Sequence, residues 1–359
     1  AENPKNQDSR IFDNAQIIKG EKLTKNQFSL AQFYQAKLTS SGEDVTVIEL
    51  QKSSLSEKRI SKFGYNLYTY FSFDHQNIIS LKGSTNSPPY SILLNNIVQG
   101  NLYDLLRRGE ENDNYQLLPS QKLKIALGII RGLEYFDAMK FIHKDLKSEN
   151  ILLDNNYNAF ISCFAQETKP EKETCEWMSP EMLTDQDQKV TSGVDIYSYG
   201  IILWELLTGE KPYDKLAKTQ MQIAQSVIFD NMRPNIPTNA TKEISELIQK
   251  CWDKNPKNRP TAKSIRLIFE GKGPGMNNNY LKFYTNDDIS EFVSWVNETR
   301  SSHESVIRKV SEETRAKETN LINQLIEMTQ PDAPFVLHAL RELRKYDKSC
   351  IPSLINILL

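Results

Sequence analysis

Cysteine is scarce in this 359-residue sequence: Cys163, Cys175, Cys251 and Cys350 stand apart, with no C-x-x-C pair. That excludes a Cys-based zinc finger and a disulfide framework, and reduced thiols are expected. Long apolar runs are absent too. None reaches the roughly 18 residues that cross a bilayer, and the opening AENPKNQDSR has no apolar stretch of the kind a secretory leader carries; a cytoplasmic protein without a membrane partner is expected. Neither sign of charge dominates, with 44 Lys plus Arg against 46 Asp plus Glu and a net charge of −2, so no basic excess draws the chain to nucleic acid. Glycine is thin as well, at 14 residues, none of them between Gly20 and Gly42. What remains is globular: 39% hydrophobic and 9% aromatic residues, enough for two or three folding units at about 150 residues each.

Up to about Lys82 the apolar residues fall in short β-branched and aromatic runs such as AQFYQAKL and the alternating VTVIEL, which predict strands. From Leu102 the spacing turns helical. Leu123, Ile125, Ala126, Ile129, Ile130 and Leu133 share a broad face opened by Pro119 and Ser120. Further helices are predicted at VDIYSYGIILWELLTG, KEISELIQKCW and TAKSIRLIFEG, the first so apolar that it belongs at the centre of its half. The Gly, Pro and Asn cluster GKGPGMNNNY reads as a linker. Beyond it a charged helix carries a stripe of Val306, Val310, Leu321, Leu325 and Met328, and the last segment resembles the opening repeat of an armadillo-type solenoid.

Four motifs in one order, IHKDLKSENILLD, WMSPEML, DIYSYGIILWELLTGEKPY and CWDKNPKNRPT, closely resemble a protein kinase domain of the tyrosine-kinase-like group over about residues 15 to 270. The resemblance implies an α+β, two-lobed fold with a C-terminal all-α extension. The divisions expected are an N-terminal extension (1–14), a mainly β lobe (15–98), a mainly α lobe (99–270), a linker (271–285) and a helical extension (286–359). It also implies a nucleotide cleft in which glycine-loop amides, a strand lysine, an acidic helix residue and a D-F-G aspartate hold phosphates and metal.

Matched to that pattern, several positions are degraded. Asn26, Phe28 and Ala31 stand where the three glycines belong, and side chains there keep backbone amides from phosphate. Ile48 takes the lysine position and Asn66 that of the helix glutamate; a relocated lysine would have to come from Lys22, Lys25 or Lys52. Cys163, Phe164 and Ala165 replace D-F-G, and a neutral thiol is a poor ligand for Mg²⁺. The catalytic loop matches better: Asp145 corresponds to the proton-accepting aspartate, Lys147 to the substrate-side lysine and Asn150 to a metal-binding asparagine. His143, Phe164, Glu181, Asp195 and Arg259 match structural positions, Glu181 pairing with Arg259 and Asp195 bracing the loop. Thr46, Leu94, Asn95, Ile97 and Leu152 match a vestigial adenine pocket.

Each preorganised charge contact is worth about a hundredfold to a thousandfold in rate, so loss of the lysine and the metal aspartate together costs about 10⁴ to 10⁶. The expectation is therefore a pseudokinase, not an enzyme, acting as a scaffold or allosteric partner of other proteins, without cofactor, metal or Mg-ATP. The alternative is a weak or metal-independent Ser/Thr/Tyr kinase that uses the retained loop.

Overall fold

A computed structural model of the chain describes residues 11–23, 31–50, 71–85, 87–94, 100–108, 116–162, 175–184, 190–276 and 279–328. Its first part is a sheet of β1 (Ile11–Phe12), β2 (Ile17–Lys22), β3 (Ala31–Leu38), β4 (Asp44–Leu50), β5 (Leu81–Thr85) and β6 (Ser91–Leu94), in the order β1-β5-β6-β4-β3-β2. Neighbours are antiparallel except β1, which runs parallel to β5. Period-2 alternation sends Val45 and Val47 to one face, where they join Ile17, Ala36, Leu38 and Leu93 in an apolar cluster. Thr46 and Ile48 point the other way and pair across to Leu94 and Ile92. All four are fully buried, so β4 and β6 are covered on both faces.

The second part is helical around a small sheet. Strands β7 (Gly100–Asn101), β8 (Ile151–Leu153) and β9 (Ala159–Ile161) lie side by side in that order. The helices are α1 (Leu102–Leu106), α2 (Pro119–Ala138), α3 (Pro180–Thr184), α4 (Gly193–Thr208), α5 (Gln220–Phe229), α6 (Lys242–Cys251) and α7 (Ala262–Phe269). Helix α4 is buried from Val194 to Leu207, as its near-continuous apolar run requires. It stops at Gly209, whose φ of 76° closes a left-handed cap with its N–H donating to the Glu205 carbonyl. Threonines 219, 241 and 261 cap α5, α6 and α7 by accepting from the amides of Gln222, Ile244 and Ser264.

Residues 271–285 are not the free linker that their Gly, Pro and Asn content suggests. Within them LKFY is apolar enough to dock: Leu281 and Phe283 are buried, the Thr241 N–H donates to the Phe283 carbonyl at 3.0 Å, and the Tyr284 hydroxyl donates to the Leu207 carbonyl at 3.1 Å. A long helix, α8 (Ser290–Met328), follows. The chain divides into one unit of residues 1–137 with 141–300 and another of 138–140 with 301–359, so the break falls within α8 at Arg300 rather than near Gly271. In the second unit His303 and Val310 are buried. The armadillo-like reading rests on the last segment, residues 333–359, which lie outside the described residues.

Candidate active site

Helix α2 delivers the chain to the loop that carries the ionisable residues. Phe136 on α2, Phe141 and Phe73 pack ring against ring at 4.9 to 5.2 Å, and this apolar support carries His143, which is buried. The His143 Nδ1 accepts from the Asp145 amide at 3.3 Å, which leaves the proton on Nε2 to be donated to the Ser162 carbonyl at 3.0 Å. The loop is thereby tied to the residue that follows β9.

Asp195, in the first turn of α4, holds the same loop from below. Its Oδ2 accepts from the His143 amide at 2.7 Å and its Oδ1 from the Lys144 amide at 2.8 Å. Lys144 has φ 66°, a left-handed conformation that costs a non-glycine residue about 1 kcal/mol or more. Two charge-assisted hydrogen bonds to one carboxylate offset that strain. Burial pushes the Asp195 carboxyl above its usual range, while His143 and the two amides pull it back.

The residues matched to catalysis come together. Asn150 Nδ2 donates to the Asp145 carbonyl at 2.6 Å and to Asp145 Oδ2 at 3.0 Å. Lys147 Nζ lies 3.4 Å from Asp145 Oδ1 and 3.8 Å from Glu149 Oε2. The Asp145 side chain keeps 28% exposure, so a partly open carboxylate stands between a fixed amide and a buried ammonium. That arrangement can take a proton from a hydroxyl presented to it. Glu181 and Arg259 form a two-pronged ion pair at 2.6 and 2.9 Å, with Arg259 also donating to the Gly193 carbonyl. Burial alone would raise the Glu181 carboxyl, but the Arg259 hydrogen bonds and charge outweigh it and hold it below the usual range.

On the sheet side, Ile48 and Thr46 occupy β4 and Leu94 ends β6, all buried. Leu152 is buried on β8. Ala31 opens β3 opposite Leu50, and Lys22 closes β2 opposite Tyr34. Asn26, Phe28, Asn66, Asn95, Ile97, Cys163, Phe164 and Ala165 lie outside the described residues, as do Lys25 and Lys52. For a divalent metal, the described residues near the loop offer Asp145 and Asn150, and no group of three or more His, Cys, Asp or Glu side chains converges among them. One carboxylate and one amide make an incomplete set for Mg²⁺.

One centre of the site was not foreseen. Glu205, fully buried on α4, accepts from Arg107 Nη2 at 2.9 Å, Ser148 Oγ at 2.9 Å and Trp177 Nε1 at 2.8 Å. It joins the residue that caps α1, the loop of Ser148 and the WMSPE segment at one carboxylate. The signal was available: an acid inside the apolar run IILWELL has to find donors when that helix is buried.

The protein tyrosine and serine/threonine kinase family matches residues 17–269. The chain belongs to this family. Among its relatives are the serine/threonine/tyrosine-protein kinase HT1 of Arabidopsis thaliana, 35% identical over 205 residues that make up 55% of this chain and 51% of that protein. The serine/threonine-protein kinase STY17 of Arabidopsis thaliana is 30% identical over 63% of this chain and 40% of its own length. The mitogen-activated protein kinase kinase kinase 12 of Rattus norvegicus is 34% identical over 54% of this chain and 22% of its own length. The chain thus spans about half, or less, of the length of these relatives. They are in keeping with the tyrosine-kinase-like resemblance. They also correct the expectation that the chain is not an enzyme, because these relatives are kinases by name. No helix among the described residues is long and apolar enough to cross a membrane.

Proposed function

We propose that the chain is a signalling kinase-family domain that transfers a phosphoryl group from a nucleotide to a protein hydroxyl through its catalytic loop. The observation that carries this reading is the Asp145–Lys147–Asn150 array. As the acceptor oxygen bonds to the terminal phosphorus and the bridging P–O bond breaks, releasing a nucleoside diphosphate, the hydroxyl proton passes to Asp145. Asn150 holds the Asp145 carboxylate in place, and Lys147 offsets negative charge beside it. No step is assigned to a metal, since the described donor set is incomplete. Ile48 at the lysine position makes the transfer slow.

A second role, as a scaffold or allosteric partner for other proteins, accompanies this chemistry. It is favoured by Ile48, which is buried opposite Ile92 and offers no charge to a phosphate. The test is transfer of labelled phosphate from ATP to a generic protein acceptor by the full chain. Asp145→Asn is expected to lower the rate about a hundredfold or more. Transfer that is undetectable, or unchanged by Asp145→Asn, rejects the enzymatic reading.

A further inference from the structure

Residues 270–300 lie beyond the stretch that the kinase family matches, yet they complete a buried cluster of charges. Arg131, midway along α2, is fully buried. Its Nη2 donates to Glu270 Oε1 at 2.8 Å, its Nη1 to Thr299 Oγ1 at 2.7 Å, and its guanidinium stands 5.0 Å from the centre of the Trp295 ring. Arg266 on α7 donates to Glu134 Oε2 and to Glu270 Oε2, each at 2.6 Å. Arg300 Nη2 donates to the Glu270 carbonyl at 2.9 Å. Three arginines and two glutamates thus form one hydrogen-bonded set, in which Arg131 and Glu270 are fully buried and Arg300 keeps 17% exposure. Such a set specifies orientation more than it adds stability, because desolvation consumes most of the Coulomb gain.

The adjoining face of α2 is packed down to the backbone. A Cβ at Gly128 would stand 2.9 Å from Asn77 Nδ2, and one at Gly132 would stand 2.8 Å from Ile161 Cδ1 and 3.1 Å from the Asn77 carbonyl. Ile161 precedes Ser162, the acceptor for His143 Nε2. Helix α2 is therefore in contact with α8 through Arg131 and with β9 through the adjoining glycine face. A shift of α2 away from β9 would open the contact that places Ser162 under His143.

We propose that the first three turns of α8 are a clamp that sets the position of α2 and, through it, of β9 and the catalytic loop. Arg131 is the positioning residue, and withdrawal of α8 is the switch that loosens the loop. The inference holds whether or not the loop transfers phosphate. It is tested in the full chain by hydrogen exchange resolved over residues 143–150, 159–162, 242–251 and 290–300. Thr299→Val removes the hydroxyl that receives Arg131, and Trp295→Ala removes the ring beneath it. Both are expected to speed exchange in 290–300, 143–150 and 159–162 by about tenfold or more, with 242–251 unchanged. Thr299→Ser, which keeps the hydroxyl, is expected to stay at the wild-type rates. Faster exchange confined to 290–300, no change anywhere, or an equal rise that includes 242–251 would each overturn the clamp.

Discussion

Glu181 is a half-buried carboxylate and Glu205 a fully buried one; both are met by arginine, and their partners set different consequences. Glu181 is held below the ordinary carboxylate range by Arg259. A depressed folded pKa means that its contribution is complete above the unfolded value of about 4.3 and is lost as pH falls through the lower folded value. Wild-type stability should therefore fall more steeply than that of Glu181→Gln between pH 5 and 3, read as urea midpoints; parallel profiles would refute this. Glu205 has burial pushing its carboxyl up, opposed by Arg107, Trp177 and Ser148. Glu205→Ala strands the Arg107 guanidinium, which is only 10% exposed, and the cost should be about 3 to 5 kcal/mol. Adding Arg107→Ala should cost less than the sum of the two single changes, because the second removes the stranded charge. Additive losses in a denaturant titration would show that the pair is not coupled.

At the scale of the element, β4 shows why a sheet position says more than a motif alignment. Alternation in VTVIEL was legible, whereas the register that sets Ile48 opposite Ile92 is a property of the folded sheet. What the pattern could not tell is that both faces of this strand are covered, since a half-buried strand and a fully covered one begin with the same short run. The covering predicts that Ile48→Lys does not simply restore a phosphate contact. An ammonium at a fully buried site should lower stability by about 3 kcal/mol or more unless a carboxylate reaches it. A thermal melt unchanged from wild type would place the new side chain in open space. The helices were the most legible elements. Pro119, Thr241 and Thr261 mark their starts by local chemistry, and Gly209 marks an end, because caps are decided within a few residues of sequence. Glu205 and Arg131 escaped notice because each sits inside an apolar run and takes its partners from segments tens of residues away. The catalytic loop was readable as a motif, but its support by Asp195 on α4 and Ser162 after β9 is a property of the folded chain.

For the whole molecule, the question is where the folding unit ends. Composition placed a linker after residue 270, because GKGPGMNNNY is rich in turn formers and its few apolar residues were outvoted. In the structure Leu281, Phe283, Phe292 and Val296 are all buried at 1% exposure or less, within the same unit as the kinase-like lobes. Each such side chain contributes about 1.5 to 3 kcal/mol on burial, so the four together contribute about 6 to 12 kcal/mol. That is comparable to the entire stability of an ordinary domain, about 5 to 15 kcal/mol. A chain cut after Phe269, where the family match ends, would also lose Glu270, the carboxylate shared by Arg131, Arg266 and Arg300. Both losses act in the same direction, because arginines shaped for a dry site and an apolar groove left open to water favour the unfolded or aggregated chain. Truncation after Phe269 should therefore abolish a cooperative thermal transition, while truncation after Arg300 should retain one. A sharp melt from the shorter chain would return the boundary to residue 270 and make 271–300 an appendage.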